Sequence, residues 1–158
     1  LYDSEARRVL GSWKAIESID LEEKLSGHDP RLLYGSFCVV IERPSAMGVI
    51  GVGVAQHMLD TAWTAGALAG VIGEVHALSV KTMTRREVLR YLGVLSGTGS
   101  ADSRVRAACI ADHETPGGPP AVGRKAAPGP LYGVSSHAWQ ALGLVLAWLE
   151  KTKHTETT

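Results

Sequence analysis

Eight residues, Phe37-Cys-Val-Val-Ile-Glu-Arg-Pro44, limit what this chain can become more than any other stretch. Phe37 to Ile41 are apolar without a break, a run far short of the roughly 20 residues that cross a bilayer. Their aromatic and β-branched character is that of a strand buried on both faces of a sheet. Glu42 follows at once, then Arg43 and Pro44. Proline has no N–H to give to a ladder, so the strand stops there. The stretch predicts a core strand that delivers a carboxylate to the rim of a sheet, where open α/β sheets bind ligands. Glu42 is either that ligand-facing acid or a solvated strand end, and residues elsewhere must decide.

The chain around it reads as one α/β domain over 1–150 with a polar, frayed tail over 151–158. Val9 to Ile16 reads as an early strand, and Asp20-Leu-Glu-Glu as the acidic first turn of a short helix. His28, in the Gly27-His-Asp-Pro30 turn, reads as a surface residue. Gly48, Gly51 and Gly53 make an irregular loop before a helix from about Val54 to Gly73. They lack the Gly-Lys-Ser/Thr ending of a phosphate loop. The small residues of that helix, Ala62, Gly66 and Gly70 among them, allow another backbone close, either the sheet's or a second subunit's.

Glu74 to Val80 is the return strand of a β-helix-β crossover. Thr84, with Glu87 three residues on, caps a helix through Leu92. Ser103 or Asp102 caps another that runs to about Asp112. Residues 116–133 hold most of the prolines and many glycines, and read as a long flexible loop with Arg124-Lys125 at its middle. The last helix, capped by Ser135 or Ser136, is apolar nearly all round and therefore packed. His137 and Gln140 stand three apart in its first turn and share a face, where the helix dipole favours an anion.

Charge separates along the chain although the total is zero. Residues 1–80 carry 6 basic and 10 acidic groups, whereas residues 81–125 carry 8 basic and 4 acidic. The zero total argues against a uniformly basic nucleic-acid binder. The local excess, including Lys81, Arg85, Arg86, Arg124 and Lys125, suits either phosphate contact or solvated helix faces. Cys38 and Cys109 read as isolated core thiols in a reducing, cytoplasmic compartment. No apolar run reaches membrane-spanning length, so a membrane partner is not expected.

Taken in order, these features resemble the RuvC-type Holliday-junction resolvases of the ribonuclease H-like nuclease superfamily. The features are a buried strand ending Val-Ile-Glu-x-Pro, a Gly/Ala-rich helix and a strand leading to Lys81-x-x-x-Arg85-Arg86. Last comes a helix opening His137-x-x-Gln140-Ala-Leu. The resemblance covers roughly Phe37 to Leu149 and implies a mixed sheet flanked by helices. It implies a homodimer that cuts four-way DNA junctions in recombination and repair, using Mg²⁺ or Mn²⁺ in its place. Glu42 would be a metal-binding acid at the sheet rim. His137 and Gln140 would complete the catalytic and metal set, and Lys81, Arg85 and Arg86 would lie near the scissile phosphate.

Such chemistry needs oxygen ligands, because Mg²⁺ takes carboxylates and water. Paired ions about 3.5–4 Å apart activate water and stabilise the leaving oxygen, and a histidine can orient that water or move its proton. The sequence departs from the family at two places. No Ile-Asp-Pro-Gly-like strand end is present, and Asp3 is a poor substitute, so the expectation is that the first strand lies upstream of Leu1. Gln140 is neutral where an acid is expected. The alternative is a non-catalytic ribonuclease H-like domain that binds branched DNA or a protein partner.

Overall fold

The computed structural model describes residues 2–10, 38–43, 59, 62, 63, 66, 70 and 79–156. These residues form a mixed α/β structure in which six short strands pair into three two-stranded sheets, with three continuous helices. The chain divides into two compact units, one of residues 15–85 and one of residues 1–14 with 86–158. The expected strand at 9–16 and the helix from Asp20 lie, beyond Leu10, outside the described residues, as do the loop at 44–58 and His28.

In the unit of residues 15–85, β3 (Cys38–Arg43) pairs with β4 (Ser79–Thr84) in parallel, from Cys38 opposite Ser79 to Arg43 opposite Thr84. A parallel pair needs a crossover of a dozen or more residues. The chain between these strands includes helical residues at Leu59, Ala62, Trp63, Gly66 and Gly70. The crossover is the one the sequence predicts, with two corrections. The return strand runs through 79–84, past the expected end at Val80, while residues 74–78 of the expected strand lie outside the described residues. Thr82, Met83 and Thr84 extend it, β-branched residues alternating around a Met83 that is fully buried. β3 itself is half-buried along Cys38–Ile41 and exposed at Glu42 and Arg43. That half-burial falls short of the burial on both faces that its composition suggests.

The other unit opens with a hairpin of β1 (Tyr2–Asp3) and β2 (Arg8–Val9). Asp3 Oδ1 accepts from the amides of Glu5 and Ala6 and makes the turn. Helix α1 (Arg85–Tyr91) follows β4 directly. It closes in a Schellman motif, with Gly93 left-handed at φ +71, its N–H on Arg90 O and the Val94 N–H on Leu89 O.

Helix α2 (Ala101–His113) is capped by Ser100, whose hydroxyl accepts from the Ser103 amide. The cap therefore stands two to three residues earlier than the expected Asp102 or Ser103, because the chain is already extended at Ser100 (ψ 156) and helical after it. Arg104 braces the preceding turn, donating to the carbonyls of Val94, Gly97 and Gly99.

The core of this unit is the contact between α2 and α3 (Ala138–Glu156). Val105 and Cys109 of α2 pack with Trp139, Leu142 and Leu146 of α3. Gly143 lets the helices close, since a Cβ there would strike Val105 Cγ1. Residues 116–133 are not the flexible loop their composition suggests. β5 (Gly123–Arg124) pairs with β6 (Ala127–Pro128), and Ala121 and Leu131 are buried in the core. Gly129 passes against the carbonyls of Pro120 and Ala121, where any side chain would collide. Glycine is thus used here for close backbone approach and not for freedom.

The entry to α3 is also corrected. Ser136 is left-handed at φ +47, and the carbonyls of Ser135, Ser136 and His137 accept the first helical amides, in place of a seryl hydroxyl cap. The polar tail is helix through Glu156. Its charges are placed to hold it: Lys151 reaches Glu87 at 3.3 Å and Lys153 reaches Glu150 at 3.0 Å. The Lys153 contact draws the Glu150 carboxyl below its ordinary value.

Candidate functional site

Glu42 stands one residue from the end of β3, opposite Met83, at the carboxyl edge of the parallel pair. Its side chain is 40% exposed, and Oε2 lies 3.9 Å from the guanidinium of Arg85, the first residue of α1. A pair so open to solvent contributes at most about 1 kcal/mol, so Arg85 neutralises the acid without sealing it. Lys81, on β4, and Arg86 are exposed. Upstream on β3, burial raises the pKa of the Cys38 thiol.

His137 and Gln140 lie in the other unit, and both line a cleft of about 740 Å³ between the first turns of α2 and α3. Asp102, Ser103, Arg106 and Trp139 line it with them. The shared face expected from their spacing is the one observed. Gln140 Nε2 donates to the Asp102 carbonyl at 3.4 Å. That bond fixes which way the amide points, and it leaves Gln140 Oε1 buried with no hydrogen-bond partner. Arg106 lays its guanidinium 5.3 Å above the Trp139 ring. Asp102, a cap candidate in the sequence, lies in the first turn of α2 beyond the Ser100 cap, and its backbone carbonyl takes the Gln140 bond. An acid in a first helical turn reads as capping and dipole compensation, and only the packing of α2 on α3 puts it beside Gln140.

The expected three-residue set is therefore carried on two units, Glu42 on one and His137 with Gln140 on the other. Among the described residues no group of three or more His, Cys, Asp or Glu is arranged to hold a metal ion.

The basic sector divides by contact. Arg104 is spent on three carbonyls, Arg90 lies 5.0 Å over the Tyr91 ring and Arg106 lies over Trp139. Arg124 and Lys125 are exposed at the turn of the β5–β6 hairpin. No helix among the described residues is long and apolar enough to cross a membrane. Comparison with protein-family models, with curated proteins and with solved structures returns no match.

Proposed function

We propose that the chain is a metal-dependent endonuclease of ribonuclease H-like architecture that resolves four-way DNA junctions as a cytoplasmic homodimer. The observation that carries this reading is the parallel, in-register pairing of β3 with β4. It sets an accessible acid, Glu42, beside Arg85 at a carboxyl strand edge, the edge at which such sheets bind substrates. The polar cleft of His137 and Gln140 supports it, as do the exposed cations Lys81, Arg86, Arg124 and Lys125.

In this mechanism the exposed cations hold phosphates along the junction arms. Arg85 leaves Glu42 for a phosphate oxygen when DNA arrives. Glu42 would offer carboxylate oxygen to Mg²⁺ within its own unit, and Gln140 would offer a neutral carbonyl oxygen in the other. When bound, Mg²⁺ lowers the pKa of a water and offsets the charge that builds on the phosphoryl group. In the cleft it shares with Gln140, His137 would be the group able to orient a water or take its proton.

A neutral amide that donates to a backbone carbonyl also favours the second reading, a domain that binds branched DNA without cutting it. The two separate on a four-way junction with Mg²⁺. Paired symmetric nicks from the Gln140→Asp protein, lost in Gln140→Asp/Glu42→Gln, support the enzyme. Junction binding with no nick from either protein supports the binding domain.

A further inference from the structure

We infer that a second cavity, walled by the β1–β2 hairpin and by α1, α2 and α3, binds a free amino acid with a large aromatic or apolar side chain. The inference goes beyond the nuclease reading and does not rest on it. This cavity and the cleft of His137 and Gln140 share no lining residue. Its volume of about 520 Å³ falls within the range of ordinary small-molecule sites. Leu146 and Leu149 of α3 give it apolar surface, and Tyr2 and Tyr91 bring phenol rings. The charged part of the wall is balanced. Arg7 is paired with Asp112 at 2.7 Å, and Lys153 with Glu150 at 3.0 Å, and all four line the cavity. A ligand of one sign would meet as much repulsion as attraction there, whereas a zwitterion finds a partner for each of its charges. An α-carboxylate suits the guanidinium fork, an α-ammonium the carboxylates, and an aromatic side chain the leucines and tyrosines.

The backbone of Arg7 is the second observation. It is left-handed at φ +50, a conformation that glycine takes freely and arginine does not. The ion pair with Asp112 does not offset that strain. Its side chains are 56% and 46% exposed, and a pair so open returns less than a left-handed residue costs. Nor does the hairpin need Arg7 to stay in place. The Tyr2 hydroxyl lies 2.9 Å from His113 Nε2, and the Val9 N–H donates to the Pro130 carbonyl at 3.0 Å. A strained residue that delivers its charge to a cavity wall is the mark of a ligand clamp.

The test titrates the full chain with L-phenylalanine, read by the chemical shifts of the Tyr2 and Tyr91 ring protons. Wild type should bind at a Kd on the order of 1 mM, the efficiency of ordinary small ligands, and both rings should shift. Phenethylamine, which lacks the carboxylate, and 3-phenylpropionate, which lacks the ammonium, should each bind about tenfold more weakly. Arg7→Gly should melt no lower than wild type, because the strain is relieved. It should bind L-phenylalanine about tenfold more weakly and leave phenethylamine binding unchanged. Equal affinity for the three ligands would overturn the inference, as would undiminished L-phenylalanine binding in Arg7→Gly. So would unshifted Tyr2 and Tyr91 rings at about 10 mM L-phenylalanine, well above the expected Kd. A clear fall in the melting temperature of Arg7→Gly would assign the strained residue to the fold alone and overturn it too.

Discussion

Cys109 shows what one buried group does to the pH dependence of the whole. It is fully enclosed between α2 and α3, and burial pushes its thiol up to about 12. The folded state therefore keeps a proton that the unfolded chain releases near 9. The contribution to stability is complete below that pH and is lost as pH rises from about 9 toward about 12. Urea midpoints should fall across that window in wild type, and Cys109→Ala should flatten the fall while lowering stability at neutral pH. An equal alkaline slope in the variant would assign the effect to another group. At the same scale, Glu42 shows where sequence reading succeeds. Its position after five apolar residues and two before a proline fixed a strand end, and it is one. The bond from Gln140 to the Asp102 backbone carbonyl shows where sequence reading fails, because it joins residues 38 positions apart.

Gly143 decides how closely α2 and α3 pack. Replacing glycine by alanine inside a helix usually adds about 1 kcal/mol through propensity. Here the added methyl would occupy the space of Val105 Cγ1, and overpacking of a filled core costs about 1–3 kcal/mol. Gly143→Ala should therefore leave stability unchanged at best and lower it by up to about 2 kcal/mol. Adding Val105→Ala, which removes the obstructing methyls, should cost less in the Gly143→Ala background than in wild type. A double-mutant cycle in thermal denaturation measures that coupling.

The segment at 116–133 belongs to this scale too. Its prolines and glycines suggest freedom, yet they serve a hairpin whose backbones touch too closely for side chains. Composition is the same in the two cases, and only long-range contact separates them. The hairpin turn carries Arg124 and Lys125 into solvent. If both hold phosphates, Arg124→Ala/Lys125→Ala should reduce the slope of log K against log salt for junction binding by about 2. An unchanged slope would return them to solvated charge.

For the whole molecule, the parallel crossover was legible because apolar runs and turn residues are local signals. The pairing of Gln140 with Asp102 was not legible, because it depends on helix packing. The helical residues Leu59, Ala62, Trp63, Gly66 and Gly70 recur at one-face spacing and are exposed, Leu59 at 64% and Trp63 at 81%. A second copy would bury them, and the glycines would let its backbone approach closely. Sedimentation equilibrium at micromolar concentration should give a dimer, and Trp63→Glu a monomer. A monomeric wild type would remove the homodimer from the proposed function.

Tyr2 and His113 tie the chain's opening residues to its core by a chain of protons. His113 Nδ1 lies 2.9 Å from the Cys109 carbonyl, which can only accept, so that nitrogen bears the hydrogen. Asp112 Oδ2, 3.4 Å from the same nitrogen, favours it there as well. Nε2 of the neutral ring is then an acceptor, and the Tyr2 hydroxyl, 2.9 Å away, must donate to it. A second proton on the imidazole reverses this polarity: Nε2 becomes the donor and the phenol must turn its lone pair inward. The β1–β2 hairpin is thus keyed to a single tautomer, which long-range nitrogen–proton correlation spectra would read directly.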